Sequence, residues 1–382
     1  MDPVHSDKKI LDVIVVGAGV VGASIAWHLA HQENVAVTII ASDVGGTATP
    51  KSFAWLNASW HNPKFYYDLR RRSMARWKQL ADAVPGLQNV VQWCGSLEWD
   101  LPAEDLAKYE RGHSGWGYNI SRASRKEIAE YEPWLTDNAL PEWGLRITEE
   151  GSVEAADAAT LMVNHAQAHG ARVISTTVAN ILKDRDCVTG VVDASGEQYL
   201  ADHVVLAAGL GSVQLCASVS IDLPVTGKPG LLIHSKPVAQ RLLKGIVLSD
   251  KVHMRQAVDG RLLAYPKADD SDPGENAQAT AEETFAAVKS MFRGEANDVE
   301  LDFFTVGDRP TPRDGLPILG ASGLEGLSLA VMHSGVTLAA IVGEVLTNKI
   351  VKGINDPALP AFTIGRFKHS ATVAGKLPAA DL

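Results

Sequence analysis

The sequence predicts an α/β (α+β) chain in two parts: a discontinuous Rossmann-like nucleotide-binding domain and a second, mixed-sheet domain. Three observations predict it. The chain opens on strand, glycine turn, helix and strand; buried strand-and-helix patterns of the same kind return in two later stretches; and the segments between them differ in character. At 382 residues the chain exceeds what one hydrophobic core usually serves.

The opening unit is the firmest. Ile10 to Val16 is β-branched and apolar, as a strand covered on both faces must be. Glycines then punctuate a turn, Val20 to His31 reads as a helix, and Val35 to Ile40 is the next buried strand. Such a βαβ unit implies a parallel sheet with right-handed crossovers. Tyr66 to Ala81 reads as a helix with Leu69, Ser73, Trp77 and Leu80 along one side. Trp93, Trp99, Trp116, Trp134 and Trp143 follow among Gly and Pro breaks. They suit either an aromatic-lined cavity or tryptophans covering a sheet. Ala156 to Ala168 is helical, Arg172–Ile174 and Thr177–Val178 are strands, and Cys187–Asp193 with Gln198–Leu200 forms a hairpin. His203 to Gly209 is a buried strand ending in a glycine turn, and alternating strands run from Pro224 to Tyr265. Lys267 to Glu283 is polar and acidic enough to be an exposed loop. Leu327–Val331, His333–Gly335 and Val336–Leu346 read as strand, tight turn and buried helix.

Gly17-Ala18-Gly19-Val20-Val21-Gly22 is a GxGxxG placed between strand and helix. Gly17 permits the tight turn, Gly19 lets a pyrophosphate approach the backbone, and Gly22 lets helix and strand pack closely, so that the helix N-terminus faces phosphate charge. Ala41 occupies the second strand's end, where an acid would hold a ribose. That role falls to Asp43 slightly farther along or to Ser42. No basic residue stands there to accept the 2′-phosphate of NADP.

These residues, with Ser52 to Asn57, Val204 to Gly209, the RPTPRDGLPILG run from Arg309 to Gly320, and His333 to Leu338, resemble the FAD-dependent D-amino acid oxidase superfamily. The likeness is to its glycine oxidase, sarcosine oxidase and D-amino acid dehydrogenase branches, and it extends over almost the whole chain. It implies FAD rather than NAD. Residues 1–60, 151–223 and 305–382 would form the FAD-binding domain, and residues 61–150 and 224–304 the substrate domain. It also implies that Thr47 to Ala54 run past pyrophosphate and flavin, with Phe53 among them and Ser52 as side-chain donor. Val178 would meet the adenine through its backbone, Ala208 and Gly209 would lie beside the dinucleotide, and Gly307 with Ser334 to Thr337 would border the flavin. A helix starting at Gly335-Val336-Thr337 makes physical sense there, because its free N–H groups favour negative charge on reduced flavin.

The activity implied is oxidation of the C–N bond of an amino acid or secondary amine to an imine, by hydride transfer to flavin N5. Arg309 matches the arginine that pairs with substrate carboxylate in glycine oxidases, and its planar fork suits a two-point contact. The alternative is an arginine satisfying carbonyls at a Pro-rich turn. His333 stands where some relatives place a polar active-site group. Strand alternation puts His253 and Arg255 on one face of a hairpin, to line the substrate roof or to face solvent. Trp55 is a candidate for the pocket wall. Two features depart from sarcosine oxidases: their arginine near position 57 is Asn57 here, and their lysine near the flavin turn is Thr337. No cysteine lies beyond Cys216, so the flavin is expected to be non-covalent. Arg70-Arg71-Arg72 reads as a solvated helix face.

Bulk properties exclude other classes. The formal charge of −10 disfavours nucleic acid and anionic lipid as partners. Cys94, Cys187 and Cys216 are sparse and without CxxC, so neither a disulfide framework nor a metal site is expected. The apolar N-terminal run contains Asp12 and three glycines, the C-terminal Ala-Ala-Asp-Leu matches no retention address, and a cytoplasmic location is expected. A small amine is the expected partner, with the electron acceptor, dioxygen or another carrier, left open. Two rivals stand beside this reading: a flavin-dependent RNA-modification domain acting on a nucleoside amine, and an accessory flavoprotein subunit of a hetero-oligomeric dehydrogenase.

Overall fold

The computed structural model describes residues 9–59, 62–267 and 272–368; the C-terminal tetrapeptide and residues 268–271 of the polar stretch lie outside them. Strand β1 (Leu11–Ala18), helix α1 (Val20–Ala30) and strand β2 (Val35–Val44) form the opening unit. β1 pairs in parallel with β2 on one side and with His203–Leu206 on the other, which buries Val13 to Val16 on both faces. The six-stranded sheet runs Ile318–Ala321, Leu327–Val331, His203–Leu206, β1, β2, Arg172–Ser175. Only its first strand is antiparallel to its neighbour.

Helix α1, the helix Ala155–Ala168 and the helix Gly335–Lys352 share one core against this sheet. Their contact is close because small residues face each other. A Cβ at Gly343 would fall 2.4 Å from Nδ1 of His28 and 2.5 Å from Oγ of Ser24. The opposite face packs Ile14 and Val16 against Ile181 of the strand Val178–Asp184 and Val188 and Val191 of the strand Cys187–Asp193.

The second sheet has eight strands: Leu301–Pro312, Val225–Ser235, Leu262–Pro266, Val252–Gln256, Ile246–Leu248, Ser96–Glu98, Trp143–Ile147 and Ile120–Ser124. It is mixed, because Ile246–Leu248 runs parallel to Ser96–Glu98 while the other pairs are antiparallel. The strand Leu301–Pro312 crosses the boundary expected at residue 305. Thr305 to Pro312 hydrogen-bond with Val225–Leu232 of this sheet, not with the nucleotide sheet. A three-stranded sheet of Trp55–Leu56, Gly151–Val153 and Val91–Gln92 also forms.

Two expectations need correction, and one pair of alternatives, for the tryptophans, is decided. Lys267–Glu283 is not a loop throughout: a helix starts at Ala277, capped by Asn276 Oδ1 accepting the Ala279 N–H at 3.2 Å. Ala281, Phe285 and Val288 share a helical face that buries itself against the mixed sheet, which outweighs the polar composition. The five later tryptophans do not line the large cavity; Trp99 and Trp134 pack in the core of the mixed sheet and Trp93, Trp116 and Trp143 in a smaller cluster. The Arg70–Arg72 run is not a solvated face. Helix α2 (Lys64–Ala83) turns Arg70 inward beside the buried Tyr66 and Ser73, leaving Arg71 and Arg72 to pair with Glu149 and Asp356.

Candidate functional site

A cavity of about 850 Å³ runs from the glycine turn to the mixed sheet, within the range of roughly 300–1,000 Å³ usual for ligand sites. Its first half is a backbone cradle. Gly17 has φ of +101°, and a Cβ there would sit 2.6 Å from the Ala207 carbonyl oxygen. A Cβ on Gly22 would lie 2.0 Å from the Gly17 oxygen, so this glycine is what lets α1 close on β1. At Gly19 a Cβ would only approach Thr49 Oγ1, at 3.1 Å, and the open side of that glycine faces the cavity. Thr49 Oγ1 accepts the Val20 N–H at 3.2 Å and ties the segment after β2 to the head of α1. Val20, Val21, Thr47, Ala208 and Gly209 line the same stretch. Ser42 and Asp43 do too, but from within a strand: β2 continues to Val44, past the strand end expected at Ala41. Val178 lies beyond them on the cavity wall.

The second half of the cavity is polar. Ser52 and Phe53 follow the cradle, and Ser52 Oγ accepts the N–H of Ala54, which sits at φ 57°. Gly307 packs where a Cβ would meet Lys51 at 2.8 Å. Ser334, also at φ 57°, precedes the helix Gly335–Lys352 without a side-chain capping bond, and Ser334, Gly335, Val336 and Thr337 all line the cavity. Thr337 Oγ1 donates to the Trp55 carbonyl at 2.9 Å, holding Trp55 on the wall. Trp55 Nε1 donates to the buried Glu150 at 2.8 Å, and burial pushes that carboxyl up to about 7.

Arg309 and His333 both reach the cavity. Arg309 projects from Leu301–Pro312 and donates to the carbonyls of Lys228 at 3.4 Å and Pro229 at 3.1 Å, so the carbonyl-bonding and cavity-lining roles coexist. Burial, with the charges of Arg309, Arg70 and Lys228, holds His333 down at about 4, so its imidazole is neutral at pH 7. Sequence reasoning missed Arg70. It is 5% exposed, lines the cavity, and donates to Asn57 through both its Nε and Nη2. The signal was its spacing: four residues after Tyr66 and seven before Trp77 place it on the inward side of α2.

His253 and Arg255 do share a face, but neither lines the cavity. Arg255, 2% exposed, pairs with Glu154 at 2.9 Å and donates Nε–H to the Phe53 carbonyl at 2.7 Å; it braces the cavity segment from behind. His253 stands behind Tyr265, which sequence reasoning also missed. The Tyr265 ring lines the cavity, its hydroxyl is 2.8 Å from His253 Nδ1, and His253 Nε2 is 3.0 Å from Asp100 Oδ2. Burial raises the Tyr265 phenol, which stays protonated at neutral pH. Among the described residues no cysteine lines the cavity.

A Gly-lined helix start on a parallel sheet, continuous with a cationic pocket on a second sheet, defines a dinucleotide-dependent enzyme of two-sheet architecture. The chain belongs to the FAD dependent oxidoreductase family (DAO), whose model matches residues 12–349. It is 24% identical over 94% of its length to the bifunctional protein ThiO/ThiG of Trichormus variabilis, of which it spans only 56%. It is 27% identical to an opine oxidase subunit of Agrobacterium tumefaciens, covering 95% of this chain and 99% of that one. The glycine oxidase structure from Geobacillus kaustophilus superposes with a TM-score of 0.80 at 24% identity, over 93% of this chain and 98% of that one. The protein is thus an FAD-dependent oxidoreductase. The Gly17–Gly22 cradle and the open side of Gly19 fit a pyrophosphate, and the start of Gly335–Lys352, which no side chain caps, fits the flavin end. No described helix is long and apolar enough to cross a membrane.

Proposed function

We propose that the protein oxidises the C–N bond of a carboxylated amine, an amino acid or a secondary amine, to an imine that water then hydrolyses. The observation that carries this reading is the pair of guanidinium groups, Arg309 and Arg70, on the wall that also holds the neutral His333. Bound FAD supplies the hydride acceptor; the chain's own residues bind, orient and deprotonate the substrate. Arg309, fixed by two carbonyls, presents a charge to a carboxylate, and Arg70, fixed by Asn57, presents a second. The two charges suit a substrate with two carboxylates as well as one, and the opine oxidase relative supports a secondary amine as a candidate. His333 adds a hydrogen-bonding group without a third positive charge.

An amine must lose its proton before it can give up a hydride. With the His253 proton on Nε2, 3.0 Å from Asp100 Oδ2, Nδ1 accepts the Tyr265 hydroxyl and a phenol lone pair is left for the substrate ammonium. The ammonium proton passes to the phenol oxygen as the phenol proton passes to Nδ1, leaving a neutral amine and an imidazolium facing a carboxylate. The three free thiols suit the reducing cytoplasm.

Anaerobic mixing of the purified protein with amino acids, N-alkyl amino acids and dicarboxylated secondary amines tests the reading. Bleaching of the flavin band by at least one carboxylated amine is expected, whereas bleaching only by amines without a carboxylate would refute it. The opine oxidase relative is one subunit of its enzyme, which favours a second reading, a catalytic subunit that needs a partner chain. Co-purification of that partner, with reduction only in its presence, would establish it.

A further inference from the structure

A second cluster of chemically competent side chains lies at the far end of α1, ~16 Å along the helix from the glycine turn at a rise of ~1.5 Å per residue. His31 follows the last turn of α1, and His165 and His169 stand one turn apart at the end of the helix Ala155–Ala168. One ring nitrogen from each comes within 4.8 Å of the other two. The ring centroids of His31 and His169 are 4.0 Å apart, and those of His165 and His169 4.5 Å.

The hydrogen bonds fix two of the tautomers. Nδ1 of His31 is 2.7 Å from the Trp27 carbonyl, and Nδ1 of His169 is 2.8 Å from the His165 carbonyl. A carbonyl can only accept, so both Nδ1 atoms carry hydrogen and both Nε2 atoms keep a lone pair. Metal-binding histidines are oriented in this way, with the non-ligating nitrogen donating to an outer acceptor. Burial holds His31 and His165 below the usual imidazole range, which keeps these rings neutral at pH 7. His165 is arranged differently: its Nδ1 accepts the Trp27 indole N–H at 2.9 Å. Coordination through Nδ1 would use that lone pair, and coordination through Nε2 would place a proton on Nδ1. Either way the Trp27 hydrogen bond is lost.

We propose that His31, His165 and His169 form a site for a divalent transition-metal ion of the zinc type, joining the end of α1 to the neighbouring helix with a fourth position open to solvent. Three imidazoles without a carboxylate favour zinc, nickel or copper over magnesium or calcium. Such a site is independent of the oxidation reaction.

The test is titration of chelator-treated, FAD-loaded protein with Zn²⁺, read by calorimetry, thermal unfolding and tryptophan fluorescence. One equivalent is expected to bind saturably, raise Tm, and change the Trp27 emission. The His31→Ala/His169→Gln double variant should weaken binding by more than the roughly 10–100-fold caused by losing an outer partner. Trp27→Phe should bind Zn²⁺ at least as tightly as the parent, because the bond competing for His165 is gone, and should lose the fluorescence change. FAD absorbance per protein checks that each variant is folded. Absence of saturable binding, or binding that the double variant leaves unchanged, would overturn the proposal.

Discussion

The Arg70 guanidinium clasps Asn57, donating Nε–H to its backbone carbonyl at 3.1 Å and Nη2–H to its side-chain oxygen at 2.6 Å. Asn57 is where the resembling sarcosine oxidases carry an arginine. In this chain α2 brings the Arg70 guanidinium to the cavity wall, and the asparagine holds it there.

The two arginines should separate by kinetics. Arg309→Ala is expected to lower kcat/KM on the best carboxylated amine by about two to three decades, with FAD content unchanged. Arg309→Lys keeps the charge but loses the planar fork and should also be impaired. Arg70→Lys should raise KM most for substrates with two carboxylates. Steady-state kinetics on matched mono- and dicarboxylated amines check this, and equal losses on both would assign Arg70 a structural role.

The glycine turn should fail in two distinct ways. Gly19→Val places bulk in the cavity, where only Thr49 stands near a Cβ, and should give folded protein without FAD. Gly22→Ala puts a Cβ 2.0 Å from the Gly17 oxygen, so α1 must shift and stability itself should fall. Flavin absorbance and Tm, measured together, distinguish the two.

Neighbouring strands predict opposite phenotypes. Arg255→Ala leaves Glu154 without its partner behind the cavity and should cost about 3 kcal/mol of folding stability. Tyr265→Phe removes the hydroxyl but keeps the ring, so stability should change little. Its kcat/KM should fall by roughly two decades, with the acid limb of the pH profile moved toward the pKa of the substrate amine. A Tyr265→Phe enzyme with an unaltered pH profile would remove the proton-transfer role.

His333 also carries a pH dependence of stability. Its folded pKa of about 4 lies below the ordinary 6.5, so between these values the unfolded chain binds a proton that the folded chain refuses. Stability on this account is complete above pH 6.5 and is lost as pH falls toward 4, with a slope of up to about 1.4 kcal/mol per pH unit. His333→Asn should remove that component. Urea unfolding of both proteins at pH 7, 6 and 5 measures it, and parallel stability curves would contradict it.

The sequence by itself determined the nucleotide half of this protein. A strand buried on both faces, a turn only glycine can make, and a helix start facing phosphate are local requirements, so Val13 to Gly22 could be placed without a fold, while Ser334 to Thr337 were placed by the resemblance. Tertiary structure decided the substrate half, because there the same residue type takes opposite roles according to what packs against it. Arg255 and His253 share the predicted face, yet Arg255 is taken up by Glu154 and the Phe53 carbonyl, and His253 stands behind Tyr265. Arg70, in a run of three arginines, turns inward because the face of α2 that carries Tyr66, Ser73 and Trp77 is buried. Strand alternation and helical period say which residues share a face; only the packing of one element on another decides whether that face meets a cavity, an ion-pair partner or water.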